Sequence, residues 1–154
     1  SRMRLIAPLV AAFAASKGRT TWYIDANNLL GHKGTPRDAE GLQSRLQLVR
    51  GVEKVVVVFD GKESVNDETT YEYPLEWAIL KAGYSADDFI VDCITSDPGR
   101  KVQVVTADRE LRRRVLSIKP RVLGVVNPVT FWRRYIPRLC GLKSTKVEAS
   151  TEST

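Results

Sequence analysis

The chain has 154 residues, 43% of them apolar and 27% charged. This is the size and composition of one globular domain with a core, and it excludes a disordered tail. No apolar run reaches the ~18–20 residues that a bilayer span needs. Two cysteines, Cys93 and Cys140, make neither a disulfide scaffold nor a zinc site, so a reducing compartment is the default expectation. The net charge of +6 is unevenly laid out: residues 20–99 carry −7 and residues 100–143 carry +10. An acidic middle beside a basic last third points to a polyanionic partner held near carboxylates, against the plainer reading of a solvated basic surface.

Residues 5–15 (LIAPLVAAFAA) are apolar and follow Arg2 and Arg4. Within an N-terminal segment 1–19, they read as a packed helix or the remnant of an organelle transit peptide. TTWYID (20–25) is a short β-rich run ending in an acid. Thr35-Pro36-Arg37-Asp38 predicts a helix start with Thr35 as cap, followed by Leu42, Leu46 and Val49 at helical spacing and a stop at Gly51. VVVVF (55–59) is a β-branched run of the kind buried on both faces in a central parallel strand, and it ends at Asp60-Gly61. Residues 61–74 are polar and turn-like, and LEWAIL (75–80) is expected as a strand.

Ser85-Ala86-Asp87-Asp88 begins a second helix with Ser85 as cap and Phe89, Ile90, Cys93 and Ile94 as its apolar face. VQVVT (102–106) is another strand, followed by a helix carrying Leu111 and Val115 beside Arg112, Arg113 and Arg114. RVLGVV (121–126) is the last strand, and Asn127-Pro128 starts a helix with Phe131, Trp132, Tyr135 and Leu139. Residues 144–154 (STKVEASTEST) read as a flexible tail, which leaves one domain over 20–143. Strands alternating with helices predict an α/β fold with a central, mainly parallel sheet and helices on both faces.

Asp25, Asp60 and Asp108 fall at predicted strand ends, and Asp87 opens a helix. In an open parallel sheet, function collects beyond the carboxyl ends of the strands. A single Asp after a strand is often a turn former or a cap, so the inference rests on four acids recurring at one edge. Carboxylates crowded together repel, and a divalent cation resolves the conflict. All-oxygen ligands point to Mg²⁺ or Mn²⁺, a pairing suited to phosphodiester chemistry. Asn28, one turn after Asp25, is placed to orient water or phosphate. The chain lacks the GxGxxG of a dinucleotide site and the GxxxxGK[ST] of a P-loop. A phospho-receiver domain needs a Lys where Asn127-Pro128 stands, and the lone His32 provides no Ser-His-Asp device.

The segments IDANNLL (24–30), VVVVFDG (55–61), SADDFI (85–90) and VVTADREL (104–111) occur in the order and spacing of the YacP-like branch of the NYN domain, within the PIN-like nuclease superfamily, which this chain resembles over roughly residues 20–140. The resemblance implies a three-layer α/β/α fold and metal-dependent ribonuclease activity. It matches Asp25, Asp60, Asp87 and Asp108 to an acidic metal site, Asn28 to the Asn of the first motif and Thr106 to the hydroxyl of the last. Ala26, Asn27 and the segment 61–84 depart from the family pattern.

Arg109, Arg112 and Arg113 directly follow Asp108 and are expected to hold an RNA backbone, with Arg133, Arg134 and Arg138 extending the track. Trp132 and Tyr135 read as core or as base-stacking surface. The expectation is a metal-dependent endoribonuclease in the cytoplasm or an organelle matrix. The alternative is a non-catalytic RNA-binding or structural subunit of a ribosome-associated or organelle assembly.

Overall fold

A computed structural model describes residues 19–62, 68–72, 75–118 and 122–141, so the N-terminal segment and the tail lie outside the described residues. In chain order the elements are β1 (Thr20–Asp25), α1 (Ala26–Leu29), α2 (Ala39–Leu46), β2 (Lys54–Lys62), β3 (Glu68–Glu72), β4 (Leu75–Lys81), α3 (Ala86–Ser96), β5 (Lys101–Val105), α4 (Arg109–Leu116) and β6 (Val122–Val126). A final helix, α5, joins an α-helical turn Pro128–Thr130, a π-helical turn Phe131–Tyr135 and a last α-helical turn Ile136–Leu139.

The sheet runs β3-β4-β2-β1-β5-β6, with every neighbouring pair parallel except β3 with β4. The chain is an α/β domain whose five-stranded parallel sheet is flanked by helices, the expected three-layer arrangement. The β-branched run Val55–Val58 lies at its centre and is buried on both faces. On one face Trp22, Ile24, Val55 and Val57 pack with Leu29, Leu42, Leu46, Phe131 and Ile136, so α1, α2 and α5 form one layer. On the other, Tyr23, Val56, Val58 and Val104 pack with Ile90, Ile94, Leu111 and Val115, so α3 and α4 form the second. Alternation along β1 produces this division, because successive side chains of a strand point to opposite faces.

Strand order determines where a crevice opens. From β1 the chain moves to β2 and β4 on one side, then crosses back through α3 to β5 and β6 on the other. The carboxyl end of β1 is therefore a topological switch point, where the loops part in opposite directions.

Two expectations are corrected. The polar stretch 61–74 is not simply a turn: β2 extends through Lys62, and Glu68–Glu72 forms an antiparallel edge strand that brings the chain back for β4. Helix α2 begins at Ala39 rather than after Thr35. Asp38 is its cap, accepting from the Gly41 N–H at 2.9 Å, whereas the Thr35 hydroxyl is committed to the Leu29 and His32 carbonyls. Ser85 caps α3 and Asn127 caps α5 as expected. Among the described residues, no helix is long and apolar enough to cross a membrane.

Candidate active site

Asp25 is the last residue of β1, at the switch point, and is 5% exposed. Its Oδ2 accepts a hydrogen bond from Thr106 Oγ1 at 3.0 Å. Thr106 follows β5 and is itself 3% exposed. The same hydroxyl accepts from the Asp108 backbone N–H at 3.0 Å, so one buried side chain joins two of the acids. Thr106, read from the sequence as a substrate-binding hydroxyl, spends its bonding capacity inside the site.

Asp60 sits in a β-bulge. Between Phe59 and Lys62, β2 carries one residue more than its partner β4. A bulge bends the strand and re-aims a side chain, here at the end of the sheet. Asp60 Oδ1 accepts from the Ala86 N–H at 2.7 Å, tying the bulge to the first residue of α3. The Asp60 N–H in turn donates to Asn27 Oδ1 at 2.8 Å.

Asp87 is half-buried in the first turn of α3, where Ser85 does the capping and leaves the Asp87 carboxylate free of that role. Asp108 caps α4 through Oδ1, which accepts from the Leu111 N–H at 3.0 Å, so it also does the ordinary work of a helix cap. Asp88 pairs with Arg114 at 3.0 Å and Asp92 accepts from the Tyr84 hydroxyl, which sets both apart from the group.

The electrostatics link the four acids. The Asp25 carboxyl is raised from its ordinary 3.8 to about 6, chiefly by burial; the Thr106 bond and the Asn28 backbone N–H oppose the rise, and the charges of Asp87 and Asp60 add to it. Asp87 is raised by burial and then by Asp108, with Arg114 opposing and Asp60 and Asp88 adding to the rise. Each of the four thus feels or supplies repulsion at this edge. Among the described residues, no group of three or more His, Cys, Asp or Glu side chains converges closely enough to hold one metal ion.

Asn28, expected to orient water or phosphate, uses its Oδ1 to accept the Ala107 N–H. Asn27, which sequence reasoning noted only as a departure from the family pattern, performs the matching task at Asp60. The two asparagines fasten the β1–α1 corner to the ends of β2 and β5. No spacing rule signals this, because each bond crosses to a distant strand.

The arginines of α4 divide. Arg113 is engaged with Glu110 one turn back, and Arg114 with Asp88. Arg109 and Arg112 are exposed, with no carboxylate partner among the described residues. They are the free cations closest in sequence to Asp108. Compared with known proteins, the chain matches no family model, no curated protein and no solved structure.

Proposed function

We propose that this chain is a metal-dependent endoribonuclease of the YacP-like NYN kind, hydrolysing phosphodiester bonds at the carboxylate edge. The observation that carries the reading is Asp25: a carboxylate at the switch point, nearly buried, within the repulsive field of Asp60 and Asp87. Such an arrangement costs stability, and strongly perturbed carboxylates collected in one crevice are characteristic of functional sites.

The donor chemistry fits a hard cation. The residues that would hold it are Asp25, Asp60, Asp87 and Asp108, all oxygen donors. Mg²⁺ keeps several of its waters and commonly takes only one or two carboxylates, which accords with acids that gather without closing around a point. When bound, Mg²⁺ or Mn²⁺ supplies charge neutralisation at the phosphate and activation of water. The chain's own residues do the positioning. Thr106 fixes the Asp25 carboxylate, Asn27 and Asn28 hold the corner, and Arg109 and Arg112 hold phosphates of the strand.

The second reading is a non-catalytic RNA-binding or structural subunit, favoured by the lack of a ready three-ligand cluster among the described residues. RNA incubated in Mn²⁺, in Mg²⁺ and in EDTA separates the two. Metal-dependent cleavage that disappears in Asp25→Asn and in Asp108→Asn is the expected result. Cleavage that persists in both variants overturns this site, and intact RNA bound in all three conditions selects the subunit reading.

A further inference from the structure

The structure carries a second cationic surface, on the helical layer opposite α3 and α4. Segments 41–52 and 128–141 contain five arginines, Arg45, Arg50, Arg133, Arg134 and Arg138, and no Asp, Glu or Lys. The fold brings these segments together. The Arg50 N–H donates to the Leu139 carbonyl at 2.7 Å, and Cys140 Sγ lies 3.6 Å from the Arg45 carbonyl oxygen. None of the five arginines has a carboxylate partner among the described residues.

Two of the guanidinium groups lie over aromatic rings. Arg45 is 5.9 Å from the centre of the Trp132 ring, and Arg138 is 5.2 Å from that of Tyr135. Both rings are half-buried, anchored on the core side: Tyr135 meets Trp22 edge-on at 5.4 Å. Arg133 and Arg134 are exposed on the same helix. A guanidinium over a ring is held by cation–π attraction while its planar fork still presents N–H donors outward. Arg50 Nη1 donates to the Gln47 and Val49 carbonyls and Arg138 Nε to the Arg134 carbonyl, so these cations are held by backbone oxygens and not by acids.

We propose that this arginine–aromatic face is a second RNA-binding surface, separate from the carboxylate edge. The fork geometry matches phosphate oxygens in pairs, and partly exposed rings between the cations offer stacking to bases. A protein partner would need an apolar anchor at the centre of the interface. The only large exposed apolar residue in these two segments is Leu48, 45% exposed. The end of this face that carries Arg138 and Arg50 lies away from the acids. Helix α5 starts beyond the carboxyl end of β6 and runs back along the sheet, so Arg138 lies roughly 15 Å along the helix axis from Asn127. The inference shares with the proposed function only its RNA, and it requires no cleavage.

The test is binding of the full chain to a fluorescein-labelled 20-nucleotide oligouridylate in EDTA across a KCl series. Arg45→Gln, Arg133→Gln, Arg134→Gln and Arg138→Gln combined are expected to weaken binding at least tenfold at 0.1 M salt. The slope of log affinity against log salt should fall by about 2–3, from ~0.7 per lost phosphate contact on a single strand. Arg133→Glu with Arg134→Glu alters only exposed side chains and should weaken binding even if the fourfold variant folds poorly. In the wild type, 5-iodouridine RNA should photo-crosslink to Trp132 or Tyr135. Unchanged affinity and slope in the folded variants, or crosslinks confined to other segments, overturn the proposal. Displacement of the RNA by poly-glutamate of equal charge as readily as by unlabelled RNA overturns its commitment to RNA. Binding in EDTA is read without any cleavage, so failure of the cleavage reading and failure of this one give different results.

Discussion

Thr106 and Asp25, 81 residues apart in sequence, meet through a 3.0 Å hydrogen bond between two side chains that are both almost completely buried. The bond favours the ionised carboxylate and opposes the burial that disfavours it. Thr106→Val keeps the shape and removes the hydroxyl. The Asp25 carboxyl should then titrate above its present value of about 6, and the Asp108 N–H should lose its acceptor. The expected loss of stability is about 1–3 kcal/mol, the cost of leaving buried polar groups unsatisfied. Denaturant unfolding measures the loss, and carboxyl NMR titration the direction of the shift.

Asp25 itself makes stability depend on pH. Its folded-state value of about 6 lies above the ordinary 3.8, so the folded chain holds this proton more tightly than the unfolded one. The associated stability is fully present below about pH 3.8 and is lost as pH rises through about 6. That interval corresponds to about 3 kcal/mol. Asp25→Asn, which never ionises, should therefore melt higher than the wild type at pH 8 and close to it at pH 3.5. On the proposed reading, a cation at the edge would compete with the proton. Mn²⁺ should accordingly raise the wild-type melting temperature more at pH 8 than at pH 5, and leave Asp25→Asn nearly unmoved. Equal melting of the two proteins at pH 8 without metal would contradict the assigned burial of charge.

Much of this arrangement was legible in the sequence, for identifiable reasons. Val55–Val58 announced a central strand because β-branched residues without alternation fit a strand covered on both faces. Asp25 and Asp108 could be placed at the carboxyl edge of the sheet as soon as β1 and β5 were placed, since position at a strand end is a one-dimensional property. The edge strand Glu68–Glu72 was not legible, because its run of polar residues resembles a turn and its partner lies in β4. The start of α2 was misplaced because Thr35 and Asp38 are both good caps, and only the fold commits the Thr35 hydroxyl to the carbonyls of Leu29 and His32. The role of Asn27 was invisible for the same kind of reason: its partner is a backbone N–H 33 residues away.

The pairing of the α4 arginines leads to unequal effects on RNA binding. Arg109 and Arg112 have no carboxylate partner among the described residues, whereas Arg113 is held by Glu110. On the proposed reading, Arg109→Gln with Arg112→Gln should lower the salt slope for single-stranded RNA by about 1.4, at ~0.7 for each phosphate contact. Arg113→Gln should change it far less, because Glu110 already neutralises that charge. Fluorescence anisotropy over a salt series in EDTA gives both slopes. An equal fall for Arg113→Gln would mean that Glu110 releases it on binding.

The asparagine pair at the β1–α1 corner separates two kinds of support for the site. Asn27 accepts from the Asp60 N–H at 2.8 Å, at the bulge, and Asn28 accepts from the Ala107 N–H, beside Asp108. Each truncation to Ala removes one hydrogen bond and should cost about 1 kcal/mol, seen as a lower urea midpoint with an unchanged m-value. On the proposed reading their effects on cleavage should exceed that, because a displacement of ~1 Å in a catalytic carboxylate can cost about a hundredfold in rate. Asn27→Ala frees the strand end that carries Asp60, while Asn28→Ala frees the turn that carries Asp108. The two substitutions free different carboxylates but loosen one corner, so their effects on stability should couple, and their effects on cleavage should fall short of additivity because one reaction needs both acids. A double variant whose cleavage rate equals the product of the two single effects would indicate that Asp60 and Asp108 do not serve the same step.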